Sequence, residues 1–257
     1  DQHVPLKVRS IVGFMPLLAA TIIPSSYLKQ LPEFLRRAEW FIRNRPLLSQ
    51  HITELNPDLE HGQTLLAVPS KDHLRRILRY LFDEQEFLSP FGIRSVSKFH
   101  EKHPYVYYAN GKSYSVDYEP GEGTTGMFGG NSNWRGPVWF PVNFLLLEAL
   151  RVYDRYYGPA FKVEFPTGSG DFITLGEAAH RISRRLISLF LPDAAGRRPC
   201  HGDVPNYAED PHWQSLVLFN EYYHAETGRG CGASHQTGWT GLVADMINLS
   251  CIWKKQQ

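Results

Sequence analysis

Apolar residues recur every three or four positions along much of this chain, the spacing that places them on one face of an α-helix. One such stripe follows Pro32, a residue suited to the first helical position, and stops before Pro46. Together these patterns predict a mainly α protein with about six long helices. The helices are expected at residues 9–23, 32–45, 70–82, 139–157, 174–189 and 239–253.

Three of these helices carry clear boundary signals. Ser70 is a good N-cap for one of them, and Thr174 with Glu177 forms a capping box in front of another. The helix over 139–157 is apolar nearly all round and meets Gly158-Pro159 at its end. A helix with this composition is expected to be packed on both sides.

Strand signals are few and local. Between Tyr105 and Tyr118, the dipeptide Asn110-Gly111 separates two arms rich in tyrosine and valine, which predicts a β-hairpin. The run from Leu216 to Tyr223 is ambiguous and is interpreted as a strand because turn glycines follow it. The whole stretch 87–138 is then a long connection between two helices, and ordered connections of that length usually carry function.

The composition narrows the class of protein. The 257 residues are 42% hydrophobic and 21% charged, which is typical of a folded globular domain rather than a disordered chain. Lys and Arg number 27 against 26 Asp and Glu, so the chain lacks the positive charge that nucleic-acid binding requires. Aromatic residues make up 13%, a level that either fills a core or lines a site for flat-faced ligands such as sugars.

The sequence gives little sign of a membrane span, a secretory leader or disulfide bonds. The longest apolar run, 11–23, is interrupted by Gly13 and Pro16, so no membrane span is predicted. The chain begins Asp-Gln-His, without a basic stretch ahead of an apolar one, so no secretory leader is expected. The three cysteines make no even set for disulfides, which favours a reduced, cytoplasmic location.

The segment 129–139 combines glycines with polar and aromatic residues in front of a buried helix. Trp134 or Trp139 is suited to stack on a pyranose ring, while Asn133 and Arg135 are suited to bind its hydroxyls. The alternative is a tryptophan-rich helix start that simply packs. A cluster of this size favours binding over packing.

A second segment, 219–230, places Glu221 among aromatic residues that include Tyr222. A carboxylate in such surroundings either performs acid–base chemistry or forms a buried ion pair, and the sequence leaves both open. A third segment, 232–241, again places polar and aromatic side chains, Gln236 and Trp239, beside glycines at a helix start. We expect Trp134, Glu221 and Trp239 to converge on one concave surface.

A metal site is a weaker alternative. Cys200, His201, Asp203 and His212 are all metal-ligating residue types, but their spacing matches no zinc motif. A polar loop explains them better, so no metal is predicted. The chain also lacks the phosphate loop, the dinucleotide-binding glycines and the nucleophile elbow, so no cofactor is predicted.

Taken together, the three segments resemble the catalytic domain of glycoside hydrolase family 63, the processing α-glucosidase-like group. The similarity lies in Asn-Trp-Arg-Gly-Pro-Val-Trp at 133–139, Asn-Glu-Tyr-Tyr-His-Ala-Glu-Thr-Gly at 220–228 and Gln-Thr-Gly-Trp-Thr-Gly at 236–241. The stretches 6–10 and 91–95 are similar to those of bacterial members. The resemblance covers nearly the whole chain, and the combination is far more specific than any one motif.

The resemblance implies an (α/α)6 barrel, an inverting mechanism and a carbohydrate substrate, with Glu221 matching the general base. About six helices are half of such a barrel, and the acid of the family has no match here. Residues 1–257 are therefore expected to be the C-terminal portion of the catalytic domain, completed by the remainder of the polypeptide or by another chain. Fallback acids inside the chain are Asp117, Glu119 and Asp210. The alternative function is a sugar-binding or structural fragment without catalysis.

Overall fold

The computed structural model describes residues 5–49, 62–126 and 133–255, and the fold is mainly helical. The α-helices are α1 Met15–Leu18, α2 Ser25–Lys29, α3 Pro32–Asn44, α4 Pro46–Ser49, α5 Lys71–Leu81, α6 Phe140–Tyr157, α7 Leu175–Ser188, α8 Asn206–Glu209, α9 Thr237–Thr240 and α10 Val243–Lys255. The strands are β1 Ala20–Pro24, β2 Gln63–Ala67, β3 Leu88–Ser89, β4 Gly92–Ile93, β5 Tyr105–Ala109, β6 Lys112–Val116, β7 Lys162–Glu164, β8 Phe172–Thr174, β9 Tyr222–Tyr223 and β10 Gly230–Cys231. Each strand pairs with one antiparallel partner, in the order β1–β2, β3–β4, β5–β6, β7–β8 and β9–β10. No described helix is long and apolar enough to cross a bilayer.

Four of the predicted helices are confirmed as α3, α5, α6 and α7. At the start of α5, the Ser70 hydroxyl accepts a hydrogen bond from the His73 amide at 3.4 Å. At the start of α7, the Thr174 hydroxyl accepts from the Glu177 amide at 3.2 Å. These bonds satisfy amides that the first turn of a helix leaves without a partner, which is why the caps were visible in the sequence.

The long helix predicted over 9–23 is wrong. The chain there forms a 3₁₀ turn at Ile11–Phe14, the short helix α1, and then β1, which pairs with β2. Pro16 is tolerated only in the first turn of α1. The β-branched run 21–23 favours an extended chain and finds a partner strand, and tertiary pairing of this kind is not visible in local spacing.

Two further sequence predictions are confirmed in part. The C-terminal helix is divided into α9 and α10 rather than continuous from Trp239. In the strand predicted over 216–223, only β9 forms, with a single bridge from Phe219 to His235 before it. The hairpin predicted around Asn110-Gly111 is present as β5–β6, and both turn residues have positive φ, 51° and 72°, as its two-residue turn requires.

The core is centred on α6 and α7, which pack against each other, and α10 also packs against α7. Helix α6 buries Phe140, Leu146, Leu147, Leu150 and Tyr153, but Leu145 is half exposed, so the helix is not covered all round as predicted. By contrast, α3 buries none of its residues in the described structure, and its apolar stripe includes Phe34 at 45% and Phe41 at 38% exposure.

A buried guanidinium joins the core to the segments that precede α6. The side chain of Arg94 is 2% exposed and forms an ion pair with Glu226 at 2.8 Å. It also donates to the Tyr118 hydroxyl at 3.0 Å and to the carbonyls of Glu84 and Leu88 at 3.0 and 2.7 Å. One side chain thus fixes segments that are more than 130 positions apart in sequence.

The partners of Arg94 also change how Glu226 titrates. Burial alone would raise the pKa of Glu226, but the Tyr118 hydroxyl and the charge of Arg94 outweigh it and lower that pKa below its ordinary value. Because the pKa of Glu226 is lower in the folded than in the unfolded chain, its contribution to stability is present above the unfolded pKa. That contribution is lost as pH falls through the folded pKa.

We therefore expect Glu226→Gln to lower the free energy of unfolding at pH 7 by about 2 kcal/mol. This is less than a fully buried pair would cost, because Glu226 keeps 29% side-chain exposure. The difference from wild type should shrink as pH falls below about 4.5, where the unfolded carboxyl becomes protonated. Urea denaturation between pH 3.5 and 7 measures it. The matched control is Glu84→Gln, which removes a more exposed pair with Arg185 and should cost less than about 1 kcal/mol at any pH. A pH-independent loss in Glu226→Gln would contradict the assignment.

Candidate functional site

Backbone hydrogen bonds bring the three polar and aromatic segments together. Val138 and Tyr223 exchange amide–carbonyl bonds at 2.9 and 3.0 Å, which joins the start of α6 to β9. The Glu119 amide donates to the Arg135 carbonyl at 2.9 Å, and the Gln236 amide donates to the carbonyl of Phe219 at 2.7 Å. The three segments found by composition therefore form one site, together with the loop that follows the β5–β6 hairpin.

Four aromatic side chains form the floor of this site. Trp139 is buried between Trp134, whose ring is stacked on it at 3.9 Å, and Tyr222, stacked at 4.6 Å. Trp239 lies against the same indole at 5.6 Å with a tilt of 55°. The Trp139 indole nitrogen donates to the Asn133 carbonyl at 3.0 Å, so its one polar atom is satisfied inside the protein.

Glu221 lies at the edge of this aromatic stack, next to Tyr222 in sequence. Its amide donates to the Ala233 carbonyl at 2.8 Å, and its carboxylate accepts from the Ala233 amide at 3.3 Å. The side chain is half-buried. Both indoles, Trp134 and Trp239, contact Trp139, which stacks on Tyr222, the neighbour of Glu221 in sequence. Their convergence with Glu221 on one concave surface stays a prediction.

Gly232 makes room for the Glu221 carboxylate. Its φ is +66°, and a Cβ atom at this position would lie 2.6 Å from Glu221 Oε2 and 2.7 Å from the Tyr222 ring. Both the backbone conformation and the close approach require glycine. The position of the carboxylate therefore depends on a residue in a different segment of the site.

Asn133 and Arg135 are buried, and their polar groups are used within the chain. Arg135 pairs with Glu119 at 2.5 Å and donates to the Thr125 hydroxyl at 2.9 Å. The Asn133 side-chain amide donates to the carbonyls of Glu119 and Gly121, and its oxygen accepts from the amide and guanidinium of Arg135. The expectation that both side chains point at sugar hydroxyls does not fit this arrangement. They support the loop under Trp134 instead.

The seven residues expected to bind substrate therefore divide by accessibility. Trp134 and Gln236 are half-buried and Trp239 is 39% exposed, so these three side chains reach solvent. The other four are buried, namely Asn133, Arg135, Trp139 and Tyr222. The glycine-rich start of the first segment, 129–132, lies outside the described residues.

A second ion pair borders the site. Arg229 pairs with Glu122 at 2.5 Å, and this hydrogen bond lowers the pKa of Glu122 despite partial burial. Burial, with smaller influences from Cys231 and Glu122, raises the pKa of Tyr222 to about 12. Burial likewise raises the pKa of the Cys231 thiol to about 12. At neutral pH these two buried groups are protonated, so the charges beside them come from Glu122 and Arg229.

The fallback acids all have bonds of their own. Glu119 holds Arg135 and accepts two hydrogen bonds from Thr124. Asp117 accepts from the Ser115 hydroxyl at 2.7 Å, and Asp210 accepts from the His212 amide at 2.8 Å. Each of these carboxylates therefore already has a partner inside the chain.

The metal alternative gains no support from the geometry. Among the described residues, no three His, Cys, Asp or Glu side chains form a metal-ligating group. Burial also raises the pKa of the Cys200 thiol to about 11, which disfavours the thiolate that zinc requires.

Sequence reasoning missed four residues that build the site. Arg94 and Glu226 fix its base, Glu122 carries the charge beside Tyr222, and Gly232 seats the carboxylate. Arg94 and Glu226 lay inside stretches quoted for the family resemblance, so the signal was present without an assigned role. Glu122 and Gly232 act through contacts between separate segments, which local patterns do not contain.

Comparison with known proteins agrees with a carbohydrate-active site. The family model described as "Mannosylglycerate hydrolase MGH1-like glycoside hydrolase domain" matches residues 64–240. An uncharacterized protein of Saccharomyces cerevisiae is 48% identical over 258 residues, covering 98% of this chain and 24% of that protein. A Schizosaccharomyces pombe protein named "probable mannosyl-oligosaccharide glucosidase" is 27% identical over 175 residues, covering 68% of this chain and 15% of that protein.

A third relative, the mannosyl-oligosaccharide glucosidase of Saccharomyces cerevisiae, is 23% identical over 176 residues, again 68% of this chain and 15% of that protein. The chain thus spans a quarter or less of the length of these three relatives. The names of the two glucosidases agree with the processing glucosidase resemblance, whereas its bacterial character stays a prediction, since these three proteins come from yeasts. Because the family match covers well over half of the chain, the protein belongs to the mannosylglycerate hydrolase MGH1-like glycoside hydrolase family.

Proposed function

We propose that this chain is part of an inverting glycoside hydrolase that cleaves an α-glucosidic bond, with Glu221 as the general base. The observation that carries the proposal is a half-buried carboxylate, seated on the Ala233 amide, at the edge of a partly exposed tryptophan floor. Aromatic faces bind the apolar side of sugar rings, and the carboxylate supplies the acceptor for a proton from water. The names of the two glucosidase relatives support the substrate class.

The sugar is bound by the side chains that reach solvent. Trp134 has one face covered by Trp139, so its other face is the platform for a sugar ring. Trp239 and Gln236 lie on the adjoining segment, where the indole and the side-chain amide contact the same sugar. The four buried members of the predicted set are positioning residues, because they hold the floor and the loop rather than contact the sugar.

The general acid comes from outside this chain. Inversion requires a second carboxyl roughly 6.5–9.5 Å from the base, so that a water fits between the base and the sugar. The candidates inside the chain are already engaged in internal hydrogen bonds or ion pairs. We therefore propose that the chain forms the C-terminal part of an (α/α)6 barrel and that the remainder of the polypeptide, or another chain, supplies the acid.

The alternative function is sugar binding without hydrolysis. The engagement of Asp117, Glu119 and Asp210 favours it, because each carboxylate has an internal partner. A chain that retains the tryptophan floor and lacks an acid binds sugar without cleaving it.

We also propose a cytoplasmic location, in keeping with three free thiols.

We expect Glu221→Gln to lower turnover in the intact protein by a factor on the order of 10² to 10⁴, with little change in sugar affinity. The amide keeps the shape of the side chain but cannot accept the proton of water. The measurement pairs a single-turnover rate with an equilibrium affinity for the same glucoside. The matched control is Glu101→Gln on the exposed surface, which should change neither value. Turnover that survives in Glu221→Gln would remove this residue from the mechanism.

The variant Gly232→Ala tests whether turnover depends on the position of the Glu221 carboxylate. The added Cβ would displace Glu221 Oε2 from its position, and a misplacement of about 1 Å can cost a factor on the order of 10² in rate. The control is Gly170→Ala, where φ is +78° but an added Cβ atom would meet no heavy atom within 4 Å, so this change introduces similar backbone strain without a collision. We expect both variants to lose some thermal stability and only Gly232→Ala to lose turnover. Equal turnover in the two variants would rule out the collision as the cause.

A further inference from the structure

The peptide group that precedes Glu221 is fixed at both of its ends. Its carbonyl, on Asn220, accepts a hydrogen bond from the Thr240 hydroxyl at 2.5 Å. Its amide, on Glu221, donates to the Ala233 carbonyl at 2.8 Å. Because the peptide group is planar, fixing both ends also restricts the direction in which the next Cα atom carries its side chain. Thr240 and Ala233 therefore restrict the direction from which the Glu221 carboxylate enters the site.

A second hydroxyl holds the peptide group on the other side of Asn220. The Asn220 amide donates to the Tyr223 hydroxyl at 3.0 Å. Burial raises the pKa of Tyr223, and a hydrogen bond with the Thr240 hydroxyl opposes that rise without cancelling it. The Tyr223 hydroxyl is therefore protonated at neutral pH. The two hydroxyls act together on the two peptide groups that flank the Asn220 Cα atom.

Both hydroxyl-bearing residues are inaccessible to solvent, since Thr240 and Tyr223 are each 0% exposed. The Tyr223 ring is held edge-on by Phe140 at 5.5 Å and by Phe190 at 5.7 Å, so its hydroxyl has a fixed position. A backbone amide or carbonyl that loses its partner in such a place costs free energy, because water does not replace the lost group. Removal of either hydroxyl therefore favours a shift of the backbone next to Glu221.

Thr240 also connects the base to the segment that carries the sugar-contacting residues. Trp239 precedes it in α9, and Gln236 lies directly before that helix. The Gln236 amide donates to the Phe219 carbonyl at 2.7 Å, and the Thr240 hydroxyl donates to the next carbonyl along, that of Asn220. Two successive carbonyls thus join the sugar-contacting segment to the chain that leads into the base.

We propose that Thr240 is a positioning residue for hydrolysis, because its hydroxyl, with that of Tyr223, holds Glu221 at a fixed spacing from the sugar on Trp239. The proposal rests on the proposed function, since it takes Glu221 as the general base. A base must lie about 2.6–3.2 Å from the proton donor it acts on, so a small displacement of its backbone lowers the rate. Both hydroxyls are buried away from the sugar, so their loss affects turnover more than affinity.

The test compares Thr240→Val with Thr240→Ser in the intact protein, with 4-nitrophenyl α-D-glucopyranoside as the substrate. Valine keeps the shape of threonine without the hydroxyl, whereas serine keeps the hydroxyl. We expect the single-turnover rate to fall on the order of ten-fold in Thr240→Val and to stay within about three-fold of wild type in Thr240→Ser. The matched control is Thr174→Val, which removes the capping hydroxyl of α7 and should leave turnover unchanged below its melting temperature.

A second readout separates positioning of the base from a general effect on the fold. In the Glu221→Gln background no base remains to be positioned, so adding Thr240→Val should lower turnover no further. The same pair of variants does not consume the glucoside rapidly, and its affinity should differ by less than about three-fold between them. A hydroxyl that served the fold alone would lower the rate by the same factor in both backgrounds.

Three results would overturn the proposal: wild-type turnover in Thr240→Val, an equal loss in both backgrounds, or an equal loss in the valine and serine variants. If Thr240→Val does not fold, Tyr223→Phe removes the other hydroxyl while keeping the ring, and the same non-additive loss is expected. The proposed function fails separately, if Glu221→Gln retains full turnover. A loss in Glu221→Gln with none in Thr240→Val overturns the positioning role alone.

Discussion

The burial of Arg94 is the constraint on which the rest of the structure depends. A guanidinium that is 2% exposed must have its donors paired, because an unpaired buried charge is far more costly than the pair is favourable. Its partners are Glu226, Tyr118 and the carbonyls of 84–88, and these lie on different elements. The chain can satisfy this one side chain only by bringing the loop after the β5–β6 hairpin and the β9–β10 turn together.

Once those elements meet, the remaining site geometry follows. The paired backbones of Val138 and Tyr223 place Trp139 against Tyr222, and the Arg135–Glu119 pair holds the loop beneath Trp134. Buried ion pairs of this kind contribute little net stability compared with apolar packing, but breaking one by removing a partner is strongly destabilising. That property suits a site in which a carboxylate and an aromatic face must keep one relative position.

Sequence patterns predicted the structural features that interactions within a few residues determine. The caps at Ser70 and Thr174 and the turn at Asn110-Gly111 act within a few residues, and each was found. Strand β1 was missed because its partner β2 lies far along the chain, and a β-branched run alone does not reveal a partner. In the site, residue types marked the correct segments, but they did not distinguish side chains that bind a ligand from those that support the loop. That distinction depends on burial and on bonds made across the chain.

Asn133 and Trp239 show how the three-dimensional structure makes such a distinction. Both lie in segments with polar and aromatic neighbours, and both were candidates for sugar binding from composition. Every polar group of the Asn133 side chain has a partner in the protein, so a sugar that bound it would have to displace bonds already made. The Trp239 side chain is 39% exposed and lies against Trp139 at 5.6 Å, so a ligand can reach this indole without displacing any bond inside the protein. The accessible side chain is therefore the better candidate for recognition, and the buried, well-satisfied one is the better candidate for support.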